Sequence, residues 1–108
     1  MNNTNIIKIN DDNYQAILSE NKNVLVDFYA TWCGPCKMIN PVLELVASDK
    51  TLKTVIAKVN IDESPEFSSL MKIRAVPSIF FFKNGKSLGR FSDQPTQKNI
   101  IQFIKNNE

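Results

Sequence analysis

Val24 to Ala30 reads VLVDFYA, apolar or aromatic at every position but one. A run this short and this continuous describes a strand buried on both faces, because a strand with one wet face alternates polar and apolar residues instead. Such a strand needs other strands beside it and helices over its faces. That requirement places the chain in the α/β class before any other segment is read.

The flanking segments supply those parts. Residues 6 to 9, IIKI, form a short strand, and Asp11-Asp12 opens a helix whose Tyr14, Ile17 and Leu18 share a face. After Cys36 the apolar positions Met38, Ile39, Val42, Leu45 and Val46 recur at helical spacing, with Pro41 inside the helix and expected to kink it. Thr54 to Ile61 is a third strand; Ser64 caps and Pro65 begins a short helix through Met71; Ser78 to Phe82 is the fourth strand. Asn84-Gly85 marks a tight turn that needs positive φ and leads to a fifth strand near Ser87 to Phe91. Thr96 then caps a last helix that turns Ile100, Ile101, Phe103 and Ile104 inward. The order β, α, β, α, β, α, β, β, α implies a mixed sheet, since the closing hairpin adds at least one antiparallel strand to a largely parallel set. With no linker or repeat, residues 1–108 are expected to make a single domain.

Charge and residue content narrow the function. Thirteen basic residues against 11 acidic leave a net charge of +2, and the lysines are scattered, so no basic stripe invites nucleic acid. No apolar run approaches the roughly 18 to 20 residues of a membrane span. The terminus MNNTNIIKIN lacks the charged-then-apolar pattern of a secretory leader. A cytoplasmic location with no membrane partner is the expectation. Asn2-Asn3-Thr4 matches a glycosylation sequon, which carries no weight in so asparagine-rich a terminus. The chain has no histidine. A Cys-His nucleophile, a Ser-His-Asp triad and a Cys2His2 zinc finger are therefore impossible within it, and proton handling falls to a carboxylate, a lysine or water.

The buried strand ends directly before WCGPCK, Trp32 to Lys37, which holds both cysteines of the chain. As a staple, a loop of four residues would contribute only about 2 kcal/mol, less than a bridge across a long loop. As a metal site, two thiols without imidazole fall short of the four ligands that structural zinc takes, unless two subunits share the ion. As a reagent the pair fits its surroundings better. A strand running straight into a helix puts Cys33 at the helix N-terminus, where unpaired N–H groups and the dipole favour a thiolate. Cys36, three positions on, lies within bridging distance but deeper in the first turn. Cys33 is thus read as the nucleophile and Cys36 as the resolving thiol. Pro35 suits the first helical turn, Gly34 leaves room for another backbone to approach, and Lys37 is read as a solvated lysine.

WCGPCK, preceded by VDFYA, followed by Pro41 and joined by RAVPS and FFKNG, closely resembles the thioredoxin family, and the resemblance runs from Ile6 to Ile104. It implies a thioredoxin fold, a five-stranded mixed β-sheet flanked by four α-helices, with the dithiol at the end of the central strand. The implied activity is protein-disulfide reduction by a redox-active Cys33-Cys36 disulfide, with no other cofactor and no metal. The implied partners are disulfide-containing proteins and an NADPH-dependent thioredoxin reductase, and the chain is expected to act as a monomer.

Other residues take roles from the same resemblance. Asp27 is the one polar residue in VLVDFYA. On the residues alone it either reaches solvent at the strand end or is buried with a raised pKa. The resemblance implies the second, as general acid/base for Cys36, with Lys58 of the third strand modulating it instead of serving as an ordinary surface lysine. Trp32 would flank the docking surface with Gly34 and Pro35 on one side of the groove. Val76 and Pro77 would flank the other, with a cis Val76-Pro77 bond and the Val76 backbone pairing with an extended substrate. One departure stands out: Asp93 falls where the family usually has glycine, beside the groove, which bears on partner choice. Two other readings stay open on the sequence, a thioredoxin-fold binding subunit with incidental thiols and an oxidase or isomerase of an oxidising compartment.

Overall fold

The computed structural model describes residues 5–108, so the Asn2-Asn3-Thr4 sequon lies outside the described residues. The buried run becomes strand β2, Asn23–Tyr29, with every side chain up to Phe28 buried. Around it the described elements are β1 (Ile6–Ile9), α1 (Tyr14–Glu20), α2 (Gly34–Ala47), β3 (Val55–Asn60), α3 (Pro65–Leu70), β4 (Ser78–Lys83), β5 (Lys86–Arg90) and α4 (Gln97–Asn107). The sheet order is β1-β3-β2-β4-β5, parallel on the β1 and β3 side of β2 and antiparallel on the β4 and β5 side. This is the five-stranded mixed sheet with four helices read from the sequence.

Period-two alternation sorts the core into two layers. Val24, Val26 and Phe28 of β2 point to one face, where they meet Ala57 and Val59 of β3, Phe82 of β4, and Tyr14, Leu18 and Phe67 from α1 and α3. Leu25 points to the other face with Ile56, Ile79 and Phe81, against Ile39, Leu43 and Val46 of α2 and Ile100 and Ile104 of α4. Burying each of these large side chains stabilises the fold by about 1.5–3 kcal/mol. In α2 the buried positions Cys36, Ile39, Leu43 and Val46 recur every three or four residues, so the stripe that anchors the helix also carries a cysteine. The helix runs from Gly34 to Ala47 without interruption at Pro41.

Two capping expectations change. Asp11-Asp12 does not open α1, which starts at Tyr14 after a turn in which Asn10 and Asn13 side chains satisfy local N–H groups. Asp11 instead reaches α3, its carboxylate accepting from the N–H of Glu66 at 3.0 Å and of Phe67 at 2.9 Å. Ser64 occupies the N-cap position of α3 but makes no capping bond, and its hydroxyl is buried without a partner. A carboxylate satisfies the same orphan donors and adds a favourable charge at the positive end of the helix, so the distant acid displaces the local hydroxyl. The other turn signals hold: Asn84 and Gly85 take φ of 53° and 80°, and the Thr96 hydroxyl accepts from Asn99 N–H.

Candidate active site

β2 ends one turn before α2 begins, and Cys33 is the N-cap residue of that helix. Its Sγ accepts from the Cys36 N–H at 3.1 Å, the capping bond that a serine or aspartate oxygen makes elsewhere. The two cysteines form a disulfide with Cα atoms 5.3 Å apart. Cys33 is 5% exposed and Cys36 2%, so the expected difference in depth is present but small. The two cysteines cluster with Ala30, and Tyr29, Ile61 and Val76 pack against that cluster, which brings Val76 from a distant segment to the dithiol's surroundings.

The hexapeptide presents its other members outward. Gly34 and Pro35 are exposed, and a Cβ built on Gly34 would meet nothing within 4 Å. No intrachain packing therefore requires glycine there, and the space it leaves opens outside the chain. Trp32 is 69% exposed, yet its indole is held, because Nε1–H donates to Oδ2 of Asp62 at 3.0 Å. The turn carrying Asp62 is itself fastened, with Asn60 Oδ1 accepting from the N–H of Asp62. A large apolar side chain kept in water by a hydrogen bond forms a fixed platform.

The Val76-Pro77 bond is cis. The Ser78 hydroxyl donates to the Ala75 carbonyl and braces the turn that leads into β4. No loop hydrogen bond among the described residues engages the Val76 backbone. Pro77, Ile39, Ile79, Phe91, Arg90 and Asp93 line a cavity of about 280 Å³ next to this turn. Asp93 is exposed at its rim, and its carboxylate accepts from Gln94 N–H at 2.8 Å.

Asp27 lies under α2, on the Leu25 side of β2, and is fully buried. Neither carboxyl oxygen has a hydrogen-bond partner. Loss of water disfavours the anion and raises its pKa from 3.8 to about 7, with the Lys58 ammonium opposing part of the rise. Lys58 is the residue paired with Asp27 across the β2–β3 ladder. Its ammonium donates to Asn40 Oδ1 on α2 and sits 4.5 Å from the centroid of the Tyr29 ring. So every residue singled out in the sequence, Asp27, Trp32, Cys33, Gly34, Pro35, Cys36, Lys58, Val76, Pro77 and Asp93, lies at this end of the sheet or on the rim beside it.

Asn40, Tyr29 and Asp62 were not foreseen. Asn40 carried a signal, since it follows Cys36 by one helical turn and lies beside the buried stripe. Asp62 carried none, being 30 residues from Trp32. Among the described residues no group of three or more His, Cys, Asp or Glu side chains could hold a metal ion, and no helix is long and apolar enough to cross a membrane.

Comparison with known proteins gives concordant matches. The family model described as Thioredoxin matches residues 5–106. A thioredoxin of Mycobacterium tuberculosis is 42% identical over 85 residues, covering 78% of this chain and 73% of that protein. The bifunctional thioredoxin reductase/thioredoxin of Mycobacterium leprae is 42% identical over 85 residues, 78% of this chain and 19% of its own length. Among solved structures, an N21Q mutant thioredoxin from Halobacterium salinarum superposes with a TM-score of 0.85 at 27% identity, covering 98% of this chain and 93% of that one.

Proposed function

The chain belongs to the thioredoxin family, whose members are thiol-disulfide oxidoreductases, and on that premise we propose that it reduces disulfides in other proteins through Cys33 and Cys36. The observation that carries this reading is the capping bond from Cys36 N–H to Cys33 Sγ. A sulfur that accepts a backbone N–H at a helix N-terminus is stabilised as the anion once the bridge is reduced.

In the proposed sequence the Cys33 thiolate attacks one sulfur of a substrate disulfide. A Cys33–substrate S–S bond forms, the substrate S–S bond breaks, and the released thiolate takes a proton from water. Cys36 then gives its proton to the Asp27 carboxylate and attacks Cys33 Sγ. The second substrate sulfur leaves as a thiolate and is protonated in turn. Two electrons and two protons pass to the substrate, and the Cys33-Cys36 bridge returns. Because Cys36 is held one helical turn from Cys33, the second step is effectively unimolecular.

Asp27, with its pKa near 7, can accept and release a proton at neutral pH, and its burial beneath the cysteine-bearing helix supports the acid/base role. Lys58 modulates it from the adjacent strand. Trp32, Gly34 and Pro35 form one bank of the docking groove, and Val76, Pro77 and Asp93 the other. The Val76 backbone accepts an extended substrate as an added strand. The proposed mechanism draws every group from one chain, which supports action as a monomer with no cofactor besides its own disulfide, and a cytoplasmic location belongs to the same proposal. Re-reduction by an NADPH-dependent thioredoxin reductase is supported by the Mycobacterium leprae relative, whose name joins the two activities.

Insulin reduction with dithiothreitol tests the proposal. Cys33→Ser is expected to abolish it, and Cys36→Ser to accumulate a covalent adduct with the substrate. If Cys33→Ser forms the adduct and Cys36→Ser does not, the order of attack is reversed. If the double serine variant still supports the biological role, the chain is a binding module instead.

A further inference from the structure

Lys58 faces Asp27 across the ladder, yet its ammonium is engaged elsewhere. It donates to Asn40 Oδ1 and lies over the Tyr29 ring, while both Asp27 oxygens remain without a hydrogen bond. The other groups that face Asp27 do not compete. β4 opposes it with Ile79, Tyr29 shares its face of β2 two residues on, and the α2 that covers this face contributes the neutral Asn40 amide on Lys58 and a buried Cys36. Lys58 is therefore the cation whose position decides how easily this carboxyl holds a proton. An ammonium in direct contact would lock it as the anion. An amide oxygen is well suited to prevent that contact, because it accepts the ammonium hydrogen without adding a second negative charge beside the carboxyl.

We propose that Asn40, backed by the Tyr29 ring, is a positioning residue that holds the Lys58 ammonium beside Asp27 but not on it, leaving the carboxyl free to exchange a proton with Cys36. The inference rests on the acid/base reading of Asp27 given above, and it adds the device that sets where the neighbouring charge is kept. Asn40 takes no part in the exchange itself. Its effect passes through one ammonium.

The test is a carboxyl-carbon NMR titration of Asp27 in the full-length oxidised protein, with Asn40 varied in the presence and absence of Lys58. In Asn40→Ala the ammonium loses its amide acceptor and turns to the unpartnered carboxyl. The Asp27 midpoint is expected to fall by about one pH unit, a tenfold loss of proton affinity. Asn40→Leu, which removes the acceptor at similar volume, is expected to give the same fall, and either variant carries the titration should the other lose its fold. Asn40→Gln keeps an amide oxygen and should restore most of the parent midpoint. With Lys58→Met in place, Asn40→Ala should leave the midpoint where Lys58→Met alone puts it. In the reduced protein, the pH midpoint of the Cys36 step should move in the same direction. An unmoved or raised midpoint in Asn40→Ala, or an equal fall in the Lys58→Met background, overturns the proposal. Failure of the reductase reading would look different: the parent itself would then reduce insulin no faster than dithiothreitol alone, whatever the titration shows.

Discussion

The face of the sheet beneath α1 and α3 is filled by aromatic rings, with Tyr14 stacked on Phe67 at 4.3 Å and Phe67 tilted against Phe28 and Phe82. The face beneath α2 and α4 is aliphatic over most of its area, with Phe103 edge-on to Phe81 and Phe91, but it also holds an unpartnered carboxyl, a lysine and a cysteine at one end. Both faces hang on the same strands, a residue apart in register. One buries no carboxyl, and the other keeps an unpartnered carboxyl where the proposed mechanism calls for a proton acceptor. Stability and chemistry are thus separated by the pleat of β2.

The largest expected effect breaks the aromatic face. Phe67→Ala removes the ring common to three of its contacts and should cost about 3–5 kcal/mol, read from denaturant unfolding. Where the variant is still folded, its insulin reduction should stay within a few-fold of the parent; a specific loss of activity would mean that the two faces are coupled.

Next comes the pH dependence of the other face. The folded-state pKa of Asp27 is raised above 3.8 to about 7, so the folded state resists ionisation that the unfolded chain undergoes freely. Stability of the oxidised protein should therefore be highest below about pH 4 as far as this group is concerned. It should decline as pH rises toward 7 and level off above, a total of roughly 4 kcal/mol at 1.36 kcal/mol per unit. Asp27→Asn should lack that decline and be the more stable protein at pH 8. Parallel pH profiles for parent and variant would remove Asp27 from the account.

Helix capping sharpens the comparison at smaller scale. Asp11→Ala strips two backbone donors of α3 and should cost about 1–2 kcal/mol, more than the roughly 1 kcal/mol of Thr96→Ala, which strips one from α4. Equal losses would mean that Ser64 takes over the cap. The smallest effect is expected at the groove rim. Asp93→Gly should alter the rate with some protein substrates while moving the reduction potential by less than about 30 mV, a tenfold change in the exchange constant. A larger shift would place Asp93 in the dithiol's own electrostatics.

The order of the elements, the burial of VLVDFYA, the αL turn at Asn84-Gly85 and the placing of Cys33 at a helix start were all legible in the residues. Each depends on periodicity or on backbone preferences that operate within a few positions. Val76-Pro77, Lys58 and Asp93 could be placed near the dithiol only through likeness to a family, because nothing in their own segments points there. Capping of α3 was read locally and wrongly: Ser64 stands at the right position, yet Asp11 takes the donors from 55 residues away.

The sequence by itself determined a two-sided sheet with a dithiol where its central strand meets a helix, since alternation and turn chemistry are local properties of a chain. Only the tertiary structure decided which partners the polar side chains take: Asp11 with α3, Trp32 with Asp62, and Lys58 with Asn40 in preference to Asp27. A buried polar group chooses among whatever donors and acceptors the packed fold brings within about 3 Å, and that set exists only after the strands and helices have come together.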